Sequence, residues 1–222
     1  MLRFFAKYKF FGIVLALLSV VIIFSIYSVL KPNPKLKVYQ PADFNPEVVD
    51  STLQHVKKYH TIANFSLVNQ NGETVTQDNY KGKIYVADFF FTTCQTICPI
   101  MTENMVTLQE EFKLDQDVLL LSHSVTPEID SVPRLKQYAL EKGVDDSKWN
   151  LVTGDRKQIY DLARKSYLAV KDYPEGQQYD MIHTENFILV DSQRRIRGIY
   201  DGTNSEEIRK LLEDISVLKT ER

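Results

Sequence analysis

The sequence predicts an α/β sandwich carried behind a single membrane-spanning helix. Three observations predict it. Strand-like and helix-like runs alternate from about residue 60 onward. An uncharged stretch of bilayer length, Phe10 to Leu30, lies near the N-terminus. Both cysteines, Cys94 and Cys98, fall between a strand-like run and a helix-like run, at the sheet end where open α/β proteins build their sites.

In chain order, residues 1–9 are a short basic segment with Arg3, Lys7 and Lys9, expected in the cytoplasm. Phe10 to Leu30 makes a helix of roughly 31 Å at 1.5 Å per residue, enough to cross a bilayer. It is longer than the apolar core of a signal peptide, and no small-x-small cleavage site follows. The basic residues favour the N-terminus inside only slightly, because Lys31, Lys35 and Lys37 lie on the other side. Residues 31–58 open on the proline-rich KPNPK and read as a tether, with a short polar helix over Pro46 to Lys58.

The folded domain is placed at 59–222. Ile62 to Val68 and Glu73 to Thr76 form a hairpin around Asn71-Gly72. Ile84 to Phe91 is the central strand, rich in β-branched and aromatic residues. After Cys98, Pro99 suits a first helical turn, and Met101, Met105, Leu108 and Phe112 step along one helix face. Asp117 to Val125 is a second buried strand. Ser131 to Glu141 is an amphipathic helix ending at Gly143. Trp149 to Val152 is a short strand, and Asp155 caps a helix running to Ser166. Tyr167 to Asp180 is irregular. Glu185 to Val190 and Arg195 to Tyr200 pair across a turn, and Asn204 caps a last helix to Leu218. This order describes a thioredoxin-like core with a hairpin added before the cysteine strand.

Composition is ordinary, 44% hydrophobic and 25% charged, with a net charge of −2. Of 27 basic side chains three lie in the first thirty residues, so the remainder holds 24 against 29 acids. A mildly acidic domain has no electrostatic footprint for nucleic acid.

The C-x-x-x-C spacing places two thiols on one helical face at a distance that suits either a disulfide or a shared metal ion, and it decides neither. A helix N-terminus favours thiolate. Two thiolates with an imidazole suit copper or zinc, but a structural zinc site wants four protein ligands. With two cysteines and four histidines, a three-ligand site able to hand on its ion suits copper better. His55 reads as solvated in the tether and His60 as surface. His123, at the end of the second strand, reads as a packed or hydrogen-bonded histidine that could lie near the cysteines. His183 precedes the strand of the last hairpin, in a loop that lies against the cysteine loop in thioredoxin-like folds, and is the expected third ligand. Asp88, in an otherwise apolar strand, is read either as a carboxylate that faces the sheet edge or pairs with a lysine, or as a proton acceptor beneath the thiols.

These residues carry a resemblance. VADFFFTTCQTICP with Cys94 and Cys98, SVTPEIDSVPRLKQYA over Ser124–Ala139, WNLVTG over Trp149–Gly154, and His183 before FILVD resemble the Sco/SenC family of copper-binding proteins over about residues 60–215. The resemblance implies copper, Cu(I) or Cu(II), held by Cys94, Cys98 and His183. It also implies membrane-tethered delivery to the dinuclear copper site of cytochrome c oxidase, with that copper-site subunit as partner and the domain on the exported face. Two positions depart from the family pattern. Ile182 stands where many members have aspartate, which alters the groups that orient the imidazole, and Thr126-Pro127 replaces Asp-Pro. The alternative is a thiol–disulfide oxidoreductase that uses Cys94 and Cys98 as a redox-active pair and reduces a partner's copper-ligand cysteines. A peroxidase reading is disfavoured, because the threonine that chemistry commonly places three residues before its cysteine is replaced by Phe91 or Gln95.

Overall fold

The computed structural model describes residues 9–30, 35–44, 49–169 and 184–221. It divides into two compact units, Met1–Pro34 and Lys35–Arg222. In the first, α1 (Lys9–Leu30) is a 22-residue helix. Its span Phe10–Tyr27 is long and apolar enough to cross a membrane, and none of it is buried.

The second unit is built on a seven-stranded mixed sheet. Its strands are β1 (Ser66–Asn69), β2 (Thr74–Thr76), β3 (Ile84–Phe90), β4 (Val118–Ser124), β5 (Trp149–Thr153), β6 (Asn186–Val190) and β7 (Ile196–Asp201), in the order β2-β1-β5-β4-β3-β6-β7. β3, β4 and β5 are parallel, and β6 runs antiparallel to β3. All seven residues of β3 are buried, as expected of a central strand covered on both faces. Strand alternation sends Tyr85, Ala87 and Phe89 to one face and Ile84, Val86, Asp88 and Phe90 to the other.

The two faces carry separate cores. Against Ile84, Val86 and Phe90 pack α2 (Ile97–Glu111), α3 (Val132–Lys142) and α5 (Ser205–Thr220). The apolar steps Met101, Met105 and Leu108 are buried there, each contributing about 1.5–3 kcal/mol. Against Tyr85, Ala87 and Phe89 pack Ile62, Phe65 and α4 (Arg156–Asp161). Asp155 caps α4 by accepting from the Gln158 amide, and Asn204 caps α5, as the sequence predicts. Gly143 closes α3 in the left-handed region at φ 72°.

Three elements differ from expectation. The hairpin strand is shorter than Ile62–Val68: only Ser66–Asn69 pairs, while Ile62 donates its amide to Arg194 O at 2.8 Å. The expected helix to Ser166 widens part-way, with α4 ending at Asp161 and Leu162–Ser166 continuing as a π-helix. The expected polar helix over Pro46–Lys58 is not helical in its described part, residues 49–58, which runs through turns such as Leu53 N to Asp50 O.

The chain also joins the domain earlier than Tyr59. Leu36 donates to Glu221 at 2.6 Å, and Tyr39 donates to Ile196 O at 2.9 Å. The Arg197 side chain is only 3% exposed; it pairs with Asp191 and Glu221 and donates to the carbonyls of Leu36 and Lys37. Val49 is buried in the core. A proline-rich opening does not prevent packing when backbone amides find partners on a finished sheet.

Candidate metal centre

The cysteine loop is set by the end of β3. Val125 donates to Phe90 O at 2.9 Å, which ties the parallel strands at their carboxyl ends. The chain then turns, with Cys94 N donating to Phe91 O at 3.2 Å, and enters α2 at Ile97. Cys98 lies in the first helical turn and is buried, whereas Cys94 precedes the helix and is partly exposed; both are free thiols. The Cys94 sulfur lies 3.6 Å from Thr96 Oγ1 and hydrogen-bonds with Cys98.

The two thiols are inequivalent. Partial burial raises the Cys94 pKa, but hydrogen bonds from the Cys98 thiol and from the amides of Cys98 and Thr96 outweigh it, and the net value falls to about 7. Burial pushes Cys98 up to about 12, and the neighbouring Cys94 and Asp88 charges push the same way. The arrangement is a thiolate at the surface backed by a thiol below it.

Asp88 faces the same side of the sheet. It is buried, takes a hydrogen bond from Ser122, leaves Oδ1 without a partner, and is raised to about 7 chiefly by burial. The edge carboxylate paired with a lysine is therefore not what β3 builds; a buried acid acting on Cys98 is.

One organising residue was not singled out in the sequence. Asp130 is fully buried and accepts from Thr92 N at 3.2 Å, Thr92 Oγ1 at 2.5 Å, Ser124 Oγ at 2.6 Å and Thr126 Oγ1 at 3.0 Å. It thereby pins the cysteine loop to the end of β4 and the start of α3. The available signal was an aspartate flanked by Ser124, Thr126 and Ser131 at the head of a helix.

The histidines separate clearly. His183 lies outside the described residues. Thr184, the next residue, is buried, and Thr184 Oγ1 and Asn186 Nδ2 each donate to Ala169 O at 3.0 Å. The antiparallel register of β6 on β3 brings Asn186 level with the end of β3, the end that leads into the cysteine loop. His123 pairs with Phe89 and so faces away from Asp88 and Cys98. Its ring stacks on Phe89 at 4.8 Å and meets Tyr167 edge-on at 5.2 Å, and burial lowers its pKa to about 4. It is a packed histidine. His55 is exposed, and His60 is half-buried with Nε2 2.8 Å from Ser166 O rather than free at the surface. Among the described residues no three His, Cys, Asp or Glu side chains come together to hold a metal ion. The described site is a two-sulfur set, one of them readily ionised, a donor chemistry that fits a soft ion such as Cu(I).

The fold and this geometry meet known proteins at one place. A family profile described as SCO1/SenC matches residues 54–218. The chain belongs to the SCO1/SenC family. It is 34% identical over 158 residues to the SCO1 protein homolog of Bacillus subtilis (strain 168), covering 70% of this chain and 81% of that one. Among solved structures it is similar to BsSco, described with a disulfide switch as a member of the Sco family of cytochrome c oxidase assembly proteins. That match has a TM-score of 0.62 and 32% identity, covering 73% of this chain and 95% of the other. It is also similar to Arabidopsis thaliana ScoI with copper bound, at TM-score 0.54 and 27% identity, covering 71% and 95%. The thioredoxin-like sandwich expected from the sequence is thus the fold of this SCO1/SenC chain.

Proposed function

We propose that this SCO1/SenC protein is a membrane-anchored copper carrier that delivers its ion to the dinuclear copper site of cytochrome c oxidase during assembly. Cys94 and Cys98 hold the copper through sulfur and His183 through its imidazole. The observation that carries the reading is the unequal thiol pair at the head of α2: a sulfur ionised near neutral pH binds a soft ion without strong base, and its partner gives up its proton on binding. Support for His183 is its place one residue before Thr184, which is buried where β6 meets the end of β3. Copper is cargo here, so a site that holds it with three ligands and leaves one side open favours hand-over by ligand exchange.

Anchoring rests on α1, with the N-terminal segment in the cytoplasm and the domain on the exported face, where the oxidase subunit's copper site would be its partner.

Thiol–disulfide exchange is the second reading, favoured by the same pair. Cys94 suits the attacking role and Cys98 the resolving one. The readings separate on His183. Titration of the reduced protein with Cu(I) against a competing chelator is expected to give one tight ion per chain. Cys94→Ser and His183→Ala are each expected to weaken it about a hundredfold, roughly 2.7 kcal/mol. Unchanged affinity in His183→Ala, with a readily reversible Cys94–Cys98 disulfide, overturns the three-ligand carrier in favour of the reductase.

A further inference from the structure

Beside Cys94 lies a cavity of about 160 Å³ between the head of α2 and the length of α3. Its wall includes Cys94, Thr92, Arg134, Tyr138, Glu141 and Lys142. Arg134 is exposed, yet its root is fixed. Its Nε donates to Thr92 Oγ1 at 3.1 Å, and that hydroxyl donates to the fully buried Asp130 at 2.5 Å. The guanidinium is therefore tied to the side chain of Thr92, two residues before Cys94, and among the described residues its Nη groups carry no ion pair or hydrogen bond. Lys142 stands over the Tyr138 ring at 5.8 Å, with the Tyr138 hydroxyl held by Thr102 at 2.8 Å. Glu141 is the acid of this wall, and Gln137 donates to it at 2.8 Å. Two cations face one carboxylate beside the thiol, in a domain whose overall charge is negative.

Arg134 does not serve its own helix. It sits in the first turn of α3, which carries no acidic residue, and a cation there opposes the helix dipole. A planar fork with free donors next to a reactive sulfur fits a carboxylate on whatever sulfur compound reaches Cys94.

We propose that this cavity seats a disulfide-bearing partner segment with a carboxylate close to its sulfur, and that Arg134 reads that carboxylate. The proposal rests on Cys94 and Cys98 acting as a redox pair. In the step it orients, the Cys94 thiolate attacks one sulfur of the partner disulfide and expels the other as thiolate. Cys98, losing its proton to solvent, then attacks the Cys94 sulfur and releases the second partner thiolate. The partner gains two electrons, and the protein is left with a Cys94–Cys98 disulfide.

The test uses the reduced full-length chain in a neutral detergent and two aryl disulfides. One is the dianionic 5,5′-dithiobis(2-nitrobenzoate), with a carboxylate on each ring; the other is the uncharged 4,4′-dithiodipyridine. The readout is the ratio of their reaction rates with Cys94. In the wild type that ratio is expected to fall several-fold when salt is raised from about 0.01 M to 1 M. Arg134→Gln is expected to lower the low-salt ratio about fivefold and Arg134→Glu further, while Arg134→Lys retains part of it. A ratio unmoved by salt, or one moved by salt but not by Arg134→Gln, overturns the proposal, as does an equal slowing of both reagents, which places Arg134 on the thiolate rather than on the partner. Should the wild type react with neither reagent, the redox pair itself fails and the proposal with it. Should Arg134→Gln not fold, Lys142→Gln in the wild-type background decides the matter: loss of the whole low-salt preference in that variant overturns the assignment to Arg134.

Discussion

Cys94 and Cys98 divide their protons unequally because only one of them is buried under the helix. Alkylation of the reduced protein with iodoacetamide should therefore rise with pH through a midpoint at about 7, the Cys94 value, since thiolate is the reactive form. A midpoint near the ordinary thiol value would contradict the pairing. Asp88 carries the opposite kind of consequence. Its folded pKa of about 7 lies above its unfolded value, so the folded protein holds a proton that the unfolded chain releases. Stability from this group falls as pH rises from about 4 to 7 and stays lower above that. Asp88→Asn should then stabilise the protein at pH 8 by roughly 2–4 kcal/mol, a three-unit gap at 1.4 kcal/mol per unit, and by little at pH 4. Urea melts at the two pH values measure it, and equal effects at both would refute it. His123→Phe should leave copper affinity within about twofold, roughly 0.4 kcal/mol, because this ring faces the other side of the sheet. The cysteines were legible from their place between a strand and a helix. The face of His123 was not, because it depends on strand register, and Asp130 was not, because it joins two segments distant in sequence, Thr92 and Ser124–Thr126.

At the scale of elements, strand and helix identities followed from periodicity, and caps such as Asp155 and Asn204 from side-chain chemistry. What escaped was the segment before Tyr59. Its buried anchors are single residues, Val49 and the backbone around Leu36, spaced without any period, so a polar composition hid its attachment. A chain beginning at Tyr59 should consequently unfold at a lower temperature than one beginning at Lys35. Arg197→Ala should destabilise the longer chain by about 1–3 kcal/mol, since it removes one buried partner from Asp191, which keeps Arg195, and one from Glu221, which keeps the Leu36 amide, and frees two carbonyls. Calorimetry of the two chains and the variant checks both, and identical melting temperatures would show the clamp to be idle.

For the whole molecule, a bilayer-length apolar helix and a thioredoxin-like SCO1/SenC domain stand in one chain. The alternation of strands and helices made the domain legible, and the uncharged Phe10–Leu30 run made the helix legible. The C-x-x-x-C spacing left the chemistry open, because such a pair serves disulfide and metal chemistry alike. The proposed carrier holds one copper ion on Cys94, Cys98 and His183 together. X-ray absorption of the copper-loaded protein tests it most directly. Two sulfur neighbours at about 2.3 Å and one nitrogen neighbour at about 2.0 Å are expected, by analogy with thiolate and imidazole bonds to zinc. His183→Ala should remove the nitrogen and keep both sulfurs. A nitrogen shell that persists in His183→Ala, or a single sulfur in the wild type, would contradict it.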